Sequence, residues 1–172
     1  PAFRALAPLR GRALAIVAEA TEPAWGPEWF WGMDPIQGGG QAFGCGSHLA
    51  DALLWLADDE PLSVSAIGGP VTPSGPTSLD RVYATIDFVG GLKAVFISGD
   101  IGDNQRLSKF SLQVFTGKGC AVAHNRFKDL EVYNIPGLAP AHENDEHFGD
   151  TMRAFVECVS AGTPSPIPLQ EG

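Results

Sequence analysis

His48 is the side chain of this 172-residue sequence best suited to acid–base chemistry. It stands near the start of the segment from Cys45 to Ala57, in which leucines recur at helical spacing (Leu49, Leu53 and Leu56). The positive end of a helix dipole favours a neutral imidazole, and a neutral imidazole can accept a proton near pH 7. The pattern therefore predicts a general base at the start of a helix, with Asp51 or Ala52, and Trp55, on the same helix face.

Three consecutive glycines, Gly38, Gly39 and Gly40, precede this histidine. Glycine permits positive φ angles and lets the backbone approach a ligand closely, so the glycines predict a cavity wall beside His48. They end a long Gly-, Pro- and Trp-rich stretch, and long loops in compact domains tend to carry function. A hydrogen-bonded structural role is the alternative for His48, and anchoring of the loop to the core is the alternative for its tryptophans.

Two other kinds of site use the same residue types. Cys45 lies near the predicted helix start, where a thiolate nucleophile would be stabilised, but a small buried apolar residue is the interpretation we favour. A metal cluster could combine His48 and His124 with a group late in the chain: His142, Glu143, Asp145, Glu146 and His147. That group lacks the HExxH spacing of zinc helices, and its acidic residues suit the first turn of a helix. We therefore expect no metal.

Composition excludes several classes of function. The net charge is −9, with 11 basic and 20 acidic residues, which argues against nucleic acid as a partner. No apolar run approaches the roughly 20 residues that a membrane span needs. The three cysteines form no CxxC pair, so reduced thiols and a cytoplasmic location are expected.

The elements that must position His48 are two helices and several short strands. The helices are expected at Cys45 to Ala57, with Ser47 as the N-cap candidate, and at Asn144 to Ala161, with an apolar stripe. Gly90-Gly91 predicts a hairpin between two of the strands. The strands are Ala13 to Ala20, Leu62 to Ile67, Arg81 to Phe88, Leu92 to Ser98, Phe110 to Phe115, Cys120 to Ala123 and Leu130 to Tyr133. This order predicts one α+β domain over residues 1–172, with an open, mainly antiparallel sheet and helices packed on one face.

The run GGGQAFGCGSHLADALLWLADDEPLSVSA resembles the Gfo/Idh/MocA family of NAD(P)-dependent oxidoreductases. WFWGMDPIQGGG is similar to the family's approach loop, and TIDFVGGLKAVFISG to its central hairpin. The resemblance implies an N-terminal Rossmann domain followed by a C-terminal domain with an open sheet, and hydride transfer at a CH–OH group of a sugar or polyol. It implies that His48 exchanges a proton with that oxygen. The residues it implies for substrate binding are Gly38, Gly39, Gly40, Trp31, Asp34 and Asp51.

The sequence departs from the family pattern in two places. Gly44 stands where the family usually has an aspartate, so a catalytically silent, ligand-binding or regulatory member is the alternative function. The sequence also has no GxGxxG unit and no Glu-Lys-Pro lysine, and Gly44 to Leu49 fails at the final glycine. We therefore expect a piece of a longer protein that is inactive alone. NAD or NADP would be bound mainly by the missing domain, and the open sheet face would form a homodimer.

Overall fold

The computed structural model describes residues 2–23, 31–71, 79–102, 109–143 and 148–164. A 3₁₀ helix, Ala2–Leu9, precedes the first strand, and a shorter one, Trp31–Met33, lies in the long loop. The other elements, in chain order, are β1 Ala15–Thr21, α1 Cys45–Ala57, β2 Pro61–Gly69, β3 Arg81–Phe88, β4 Lys93–Gly99, β5 Lys109–Phe115, β6 Cys120–His124, β7 Asp129–Tyr133, β8 Ala141–His142 and α2 Phe148–Ala161.

The eight strands form one open sheet in the order β2-β3-β4-β1-β5-β6-β7-β8. Neighbouring strands are antiparallel except β1 and β4, which are parallel and pair Ala15 with Lys93 through to Thr21 with Gly99. The turn between β3 and β4 falls at Gly90-Gly91, where Gly91 has a φ of +93° that favours glycine. The predicted α+β class with a mainly antiparallel sheet is confirmed.

One face of the sheet carries the hydrophobic core. Alternate residues of the central strands point to this face, because side chains alternate along a strand; they include Ile16, Ala18, Phe96, Leu112 and Val114, all buried. The predicted leucines of α1 (Leu49, Leu53 and Leu56) and the apolar side chains of the first 3₁₀ helix (Leu6 and Leu9) cover them. Each fully buried leucine contributes about 1.5–3 kcal/mol relative to an exposed one, so this contact holds α1 on the sheet.

The first turn of α1 lies close to the ends of β1 and β4. A Cβ atom on Gly46 would stand 3.1 Å from Ser98 Oγ and 3.5 Å from the Phe96 ring, so glycine permits this close approach. At the other end of α1, Gly11 N donates to Leu56 O. The helix therefore runs antiparallel to β1. Its N-terminus, with His48, lies near the C-terminal end of β1.

Two expectations about the helices differ from the structure. Ser47 does not cap α1: the N-cap is Gly44, which has no side-chain cap, and Ser47 Oγ donates to Gly44 O from inside the first turn. The apolar stripe of α2 exists, but its described members are each more than half exposed and lie outside the core; they are Met152, Phe155, Val156 and Val159. Asn144 and the side chain of Phe148 lie outside the described residues.

The other face of the sheet has no helix over it among the described elements. On β3 this face carries Arg81, Tyr83, Thr85 and Asp87, as the alternation predicts. On the neighbouring β4 it carries Val95 and Ile97. The edge strand β2 is exposed over nearly its whole length, including Leu62, Val64 and Ile67. In the described part of the chain, no helix has the length and apolar character to cross a bilayer.

Candidate functional site

A cleft of about 680 Å³ opens at the N-terminal end of α1. Three segments line it: the head of α1 with Phe43, Gly44, Cys45, Ser47 and His48; the start of β5 with Lys109 and Phe110; and the turn between β6 and β7 with Arg126 and Phe127. The His48 side chain is exposed, so its imidazole is accessible from the cleft. Ligand pockets in proteins have volumes of roughly 300–1,000 Å³, and the volume of this cleft lies within that range.

The glycine run is not among the residues that line the cleft. Gly38 N and Gly39 N both donate to Asp34 O, and Gly40 N donates to Gly32 O. Gly39 and Gly40 have φ values of +73° and +79°, and a Cβ on Gly38 would stand 2.4 Å from Gly32 Cα. The three glycines thus allow a close backbone contact, and the loop they form leads into Gly44 at the head of α1.

The structure brings none of the other predicted substrate-binding residues into the cleft. Asp34 Oδ1 accepts hydrogen bonds from Ile36 N and Gln37 N, both at 2.8 Å. These backbone donors hold the pKa of Asp34 below its usual value. Trp31 is exposed in the loop ahead of the glycines, and Asp51 is exposed one turn beyond His48 on α1. The roles implied for these residues stay predictions.

The structure adds a charged cluster that the sequence did not reveal. Glu22 follows β1 directly, and its Oε1 accepts hydrogen bonds from Gln41 Nε2 at 2.6 Å and from Cys45 Sγ at 2.9 Å. Its Oε2 lies 3.0 Å from Lys109 Nζ. A carboxylate directly after an apolar strand was the only local signal for Glu22, because its partners lie 19, 23 and 87 residues further along the chain.

The electrostatics of this cluster keep Glu22 and Lys109 charged. Burial raises the pKa of Glu22, but hydrogen bonds from Cys45, Gln41 and Lys109 outweigh it, so that the pKa lies below the ordinary 4.5. Burial lowers the pKa of Lys109, but its hydrogen bond to Glu22 and the nearby negative charge leave the pKa above 10.5. The ion pair thus connects the end of β1 to the start of β5 beneath the cleft.

Cys45 does not have the properties of a nucleophile. It is buried in the core cluster and donates its thiol hydrogen bond to Glu22. Burial, followed by the hydrogen bond and negative charge of Glu22, raises the pKa of this thiol to about 11. Because the thiolate is the reactive form, Cys45 is protonated and unreactive near neutral pH. This supports the structural interpretation that the sequence favoured.

A row of aromatic rings connects the cleft with the first 3₁₀ helix. Phe110 stacks on Phe127 with ring centroids 5.7 Å apart, and Phe127 contacts Phe3 at 5.1 Å. Phe3 in turn contacts Trp55 on α1 at 4.9 Å. Phe110 and Phe127 thus present an apolar surface inside the cleft, while His48, Lys109 and Arg126 supply its polar groups.

Two of the histidines proposed for a metal cluster, His124 and His142, have carboxylate partners. His142 Nδ1 pairs with Asp129 Oδ1, a contact that lowers the pKa of Asp129, and His124 Nε2 lies 3.2 Å from Glu131 Oε1. Across the described residues, no three His, Cys, Asp or Glu side chains converge as a metal site would require. Asp145, Glu146 and His147 lie outside the described part of the chain.

A second cavity, of about 420 Å³, lies between the first 3₁₀ helix and the β5–β6 turn, with Arg12 and Lys118 in its wall. Among the described residues that line it there is no histidine, cysteine or carboxylate. The cleft at α1 is therefore the better candidate for acid–base chemistry.

The fold is an α+β domain with a cleft at the N-terminal end of α1, and comparison with known proteins identifies its family. Residues 11–122 match the profile described as GFO/IDH/MocA C-terminal domain. The chain therefore belongs to the Gfo/Idh/MocA family. A comparison with curated protein sequences finds no match.

Several solved structures share this fold. The aldose-aldose oxidoreductase of Caulobacter crescentus, complexed with glycerol, has a TM-score of 0.77 at 17% identity over 99% of this chain and 52% of that one. A levoglucosan dehydrogenase in complex with NADH and L-sorbose has a TM-score of 0.70 at 18% identity over 96% and 54%. A super-repressor mutant of Gal80p from Saccharomyces cerevisiae has a TM-score of 0.72 at 12% identity over 98% and 52%. The chain spans about half the length of these proteins, and identities this low establish the fold alone.

Proposed function

We propose that this chain is the substrate-side domain of a longer, two-domain NAD(P)-dependent oxidoreductase that acts on a CH–OH group of a sugar, polyol or similar small molecule. The single observation that carries the proposal is the exposed imidazole of His48 in a cleft of about 680 Å³ at the head of α1. Family membership supports it, as do relatives whose names refer to sugar substrates.

In this proposal His48 moves the proton. During oxidation its imidazole accepts the hydroxyl proton of the substrate, and during reduction it returns a proton to the carbonyl oxygen. Phe110 and Phe127 offer apolar faces to the C–H side of a sugar ring. Glu22 acts as a positioning residue, because its hydrogen bond to Cys45 and its ion pair with Lys109 join the head of α1 to β5.

The described residues do not fit a dinucleotide, and in this proposal the nicotinamide cofactor is bound mainly by another domain. A Rossmann site needs a tight glycine turn from a strand into a helix, where backbone N–H groups face the pyrophosphate. Here β1 ends at Thr21 and α1 begins only at Cys45. The cofactor would supply the hydride acceptor or donor, and this chain would bind the substrate and handle the proton.

Substitution of His48 tests the proposal. The protein that contains this chain is assayed with NAD and NADP against a panel of sugars and polyols, as the parent, as His48→Ala and as His142→Ala. His142 is a matched control, because it is exposed on β8 and paired with Asp129. We expect His48→Ala to lower turnover by about 100-fold or more and His142→Ala to leave it unchanged, in line with general acid–base catalysis. Equal activity of the parent and His48→Ala would refute the role of His48.

A catalytically silent, ligand-binding member is the second candidate, and Gly44 favours it. Gly44 lies in the cleft at the N-cap of α1 and cannot supply the carboxylate that the family resemblance places there. Its φ of −68° suits aspartate, but its ψ of −96° lies outside the region that residues with side chains usually adopt, so Gly44→Asn is the control that carries the same backbone strain without the charge. If the parent is inactive and Gly44→Asp gives turnover on the sugar panel, the native site is silent. Robust turnover by the parent would reject this candidate.

We also propose a homodimer through the open face of the sheet, in the cytoplasm. This face carries Tyr83, Val95 and Phe115, all partly exposed apolar side chains, and the described elements leave it uncovered. The three cysteines are unpaired thiols, which suits a reducing compartment. Val95→Glu should convert a dimer to a monomer in light scattering, whereas Val89→Glu, in the turn after β3, should not. A parent that is monomeric at high micromolar concentration would refute the dimer.

A further inference from the structure

The charged side chains among the described residues that line the cleft are positively charged. Among the described residues that line it, the ionisable groups other than the protonated Cys45 thiol are Lys109, Arg126 and His48, and no carboxylate lines it. The chain as a whole has a net charge of −9, with 20 acidic and 11 basic residues. The cleft therefore presents two cationic side chains and an imidazole in a protein whose net charge is negative, and Glu22 offsets part of this positive charge through its ion pair with Lys109.

The Lys109 side chain is held in place by an ion pair with Glu22. Its Nζ lies 3.0 Å from Glu22 Oε2, while the side chain stays 24% exposed and Glu22 does not line the cleft. The ammonium also lies 5.8 Å from the centre of the Phe110 ring. A lysine fixed in this way loses less conformational entropy when it binds a ligand than a freely moving surface lysine would.

The backbone at both cations adopts an unusual conformation. Lys109, Arg126 and Phe127 have φ values of +58°, +57° and +62°, which residues with side chains rarely adopt. Lys109 begins β5 and Arg126 occupies the β6–β7 turn, so the two cations reach the same cleft from separate segments. Such backbone strain is often found where a fold positions functional side chains.

We infer that the substrate carries an anionic group, as a sugar acid or a sugar phosphate does, and that Lys109 and Arg126 bind its oxygens while the reacting CH–OH faces His48. Both anions share the chemistry that selects them: several negatively charged oxygens that accept charge-assisted hydrogen bonds. The inference rests on the proposed function, because it assigns a substrate class to the same cleft.

Calorimetric titration of the full protein tests this. The ligands are glucose, glucuronate, glucose 6-phosphate and inorganic phosphate, and the variants are Arg126→Gln and, as a matched control, Lys118→Gln in the exposed β5–β6 turn. We expect at least one anionic sugar to bind tenfold or more tightly than glucose. Arg126→Gln should weaken that binding by about tenfold to a hundredfold and glucose binding by less than twofold, because it removes a charged donor. Lys118→Gln should change neither.

Lys109 is tested with a conservative variant, because Lys109→Gln would leave Glu22 without its cation. Lys109→Arg should keep most of the affinity for the anionic sugar. A higher salt concentration should weaken the binding of the anionic ligands but not the binding of glucose. Comparison of glucuronate with glucose 6-phosphate then separates a carboxylate from a phosphate substrate.

Four results would overturn the inference. Glucose that binds as tightly as both anionic sugars, or an Arg126→Gln variant that weakens all sugars equally, would refute it and leave the proposed function intact. Inorganic phosphate that binds as tightly as glucose 6-phosphate would point to an anion site without a sugar substrate. Absence of binding by any sugar would refute the proposed function together with the inference.

Discussion

The substitution Glu22→Gln removes the charge that holds the head of α1 to β5. Glu22 accepts hydrogen bonds from Cys45 and Gln41 and pairs with Lys109 at 3.0 Å. Removal of one partner of a fully buried ion pair costs about 3–5 kcal/mol. Here the two side chains are 14% and 24% exposed, and the amide oxygen of glutamine keeps one acceptor. We therefore expect the free energy of unfolding to fall by about 2–3 kcal/mol.

The loss should depend on pH in a defined direction. The folded-state pKa of Glu22 lies below 4.5, so its stabilising contribution is fully present above pH 4.5 and is lost as the pH falls through the folded value. The difference in stability between the parent and Glu22→Gln should therefore be constant at neutral pH and shrink below pH 4.5. The pKa of Cys45, about 11 in the parent, should fall part of the way to 9.0, because two of its causes involve Glu22.

Urea unfolding followed by tryptophan fluorescence between pH 3 and 8 measures the stability, and ¹³C NMR of labelled cysteine measures the thiol titration. Glu60→Gln is the matched control, because it makes the same change of charge at an exposed position between α1 and β2. A Glu22→Gln variant as stable as Glu60→Gln at pH 7, or an unchanged Cys45 titration, would refute the cluster described above.

Three further substitutions test the loop and the turns. Gly38→Ala should lower the free energy of urea unfolding by more than about 3 kcal/mol, because its Cβ would stand 2.4 Å from Gly32 Cα. The control is Gly137→Ala, which should cost only about 1–2 kcal/mol, because Gly137 has a φ of +81° but open space around it. Equal losses would contradict the close contact at Gly38. Arg126→Gly should stabilise the fold by about 0.5–1 kcal/mol, because glycine relieves a φ of +57°, and a destabilised variant would show that the turn is unstrained. Asp34→Ala should cost about 1 kcal/mol through two lost hydrogen bonds from backbone N–H groups, and no loss by the same assay would contradict that role.

The sequence predicted the elements whose patterns are local. The leucine spacing gave α1 its observed bounds, and the alternation from Arg81 to Phe88, followed by Gly90-Gly91, gave the β3–β4 hairpin. Each pattern indicates which face of its own element is apolar. It does not indicate which other element packs against that face or pairs with that strand. The parallel pairing of β1 with β4 and the exposure of the α2 stripe were therefore found only in the structure.

The site was predicted in part for the same reason. His48 and the glycines are close in sequence, so the sequence predicted that they share one site, but the glycines do not line the cleft that contains His48. Glu22, Lys109 and Arg126 come together only through the order of β1, β5 and the β6–β7 turn. No spacing in the sequence marks such a contact.

The central claim is that sugars bind beside His48, and NMR of the histidine side chains tests it most directly. In a titration of the full protein with glucose and glucose 6-phosphate, the imidazole signals of His48 should shift in a saturable way, while those of His142, exposed on β8, should stay unchanged. A sugar that binds without moving the His48 signals, or that moves the His142 signals instead, would contradict the account.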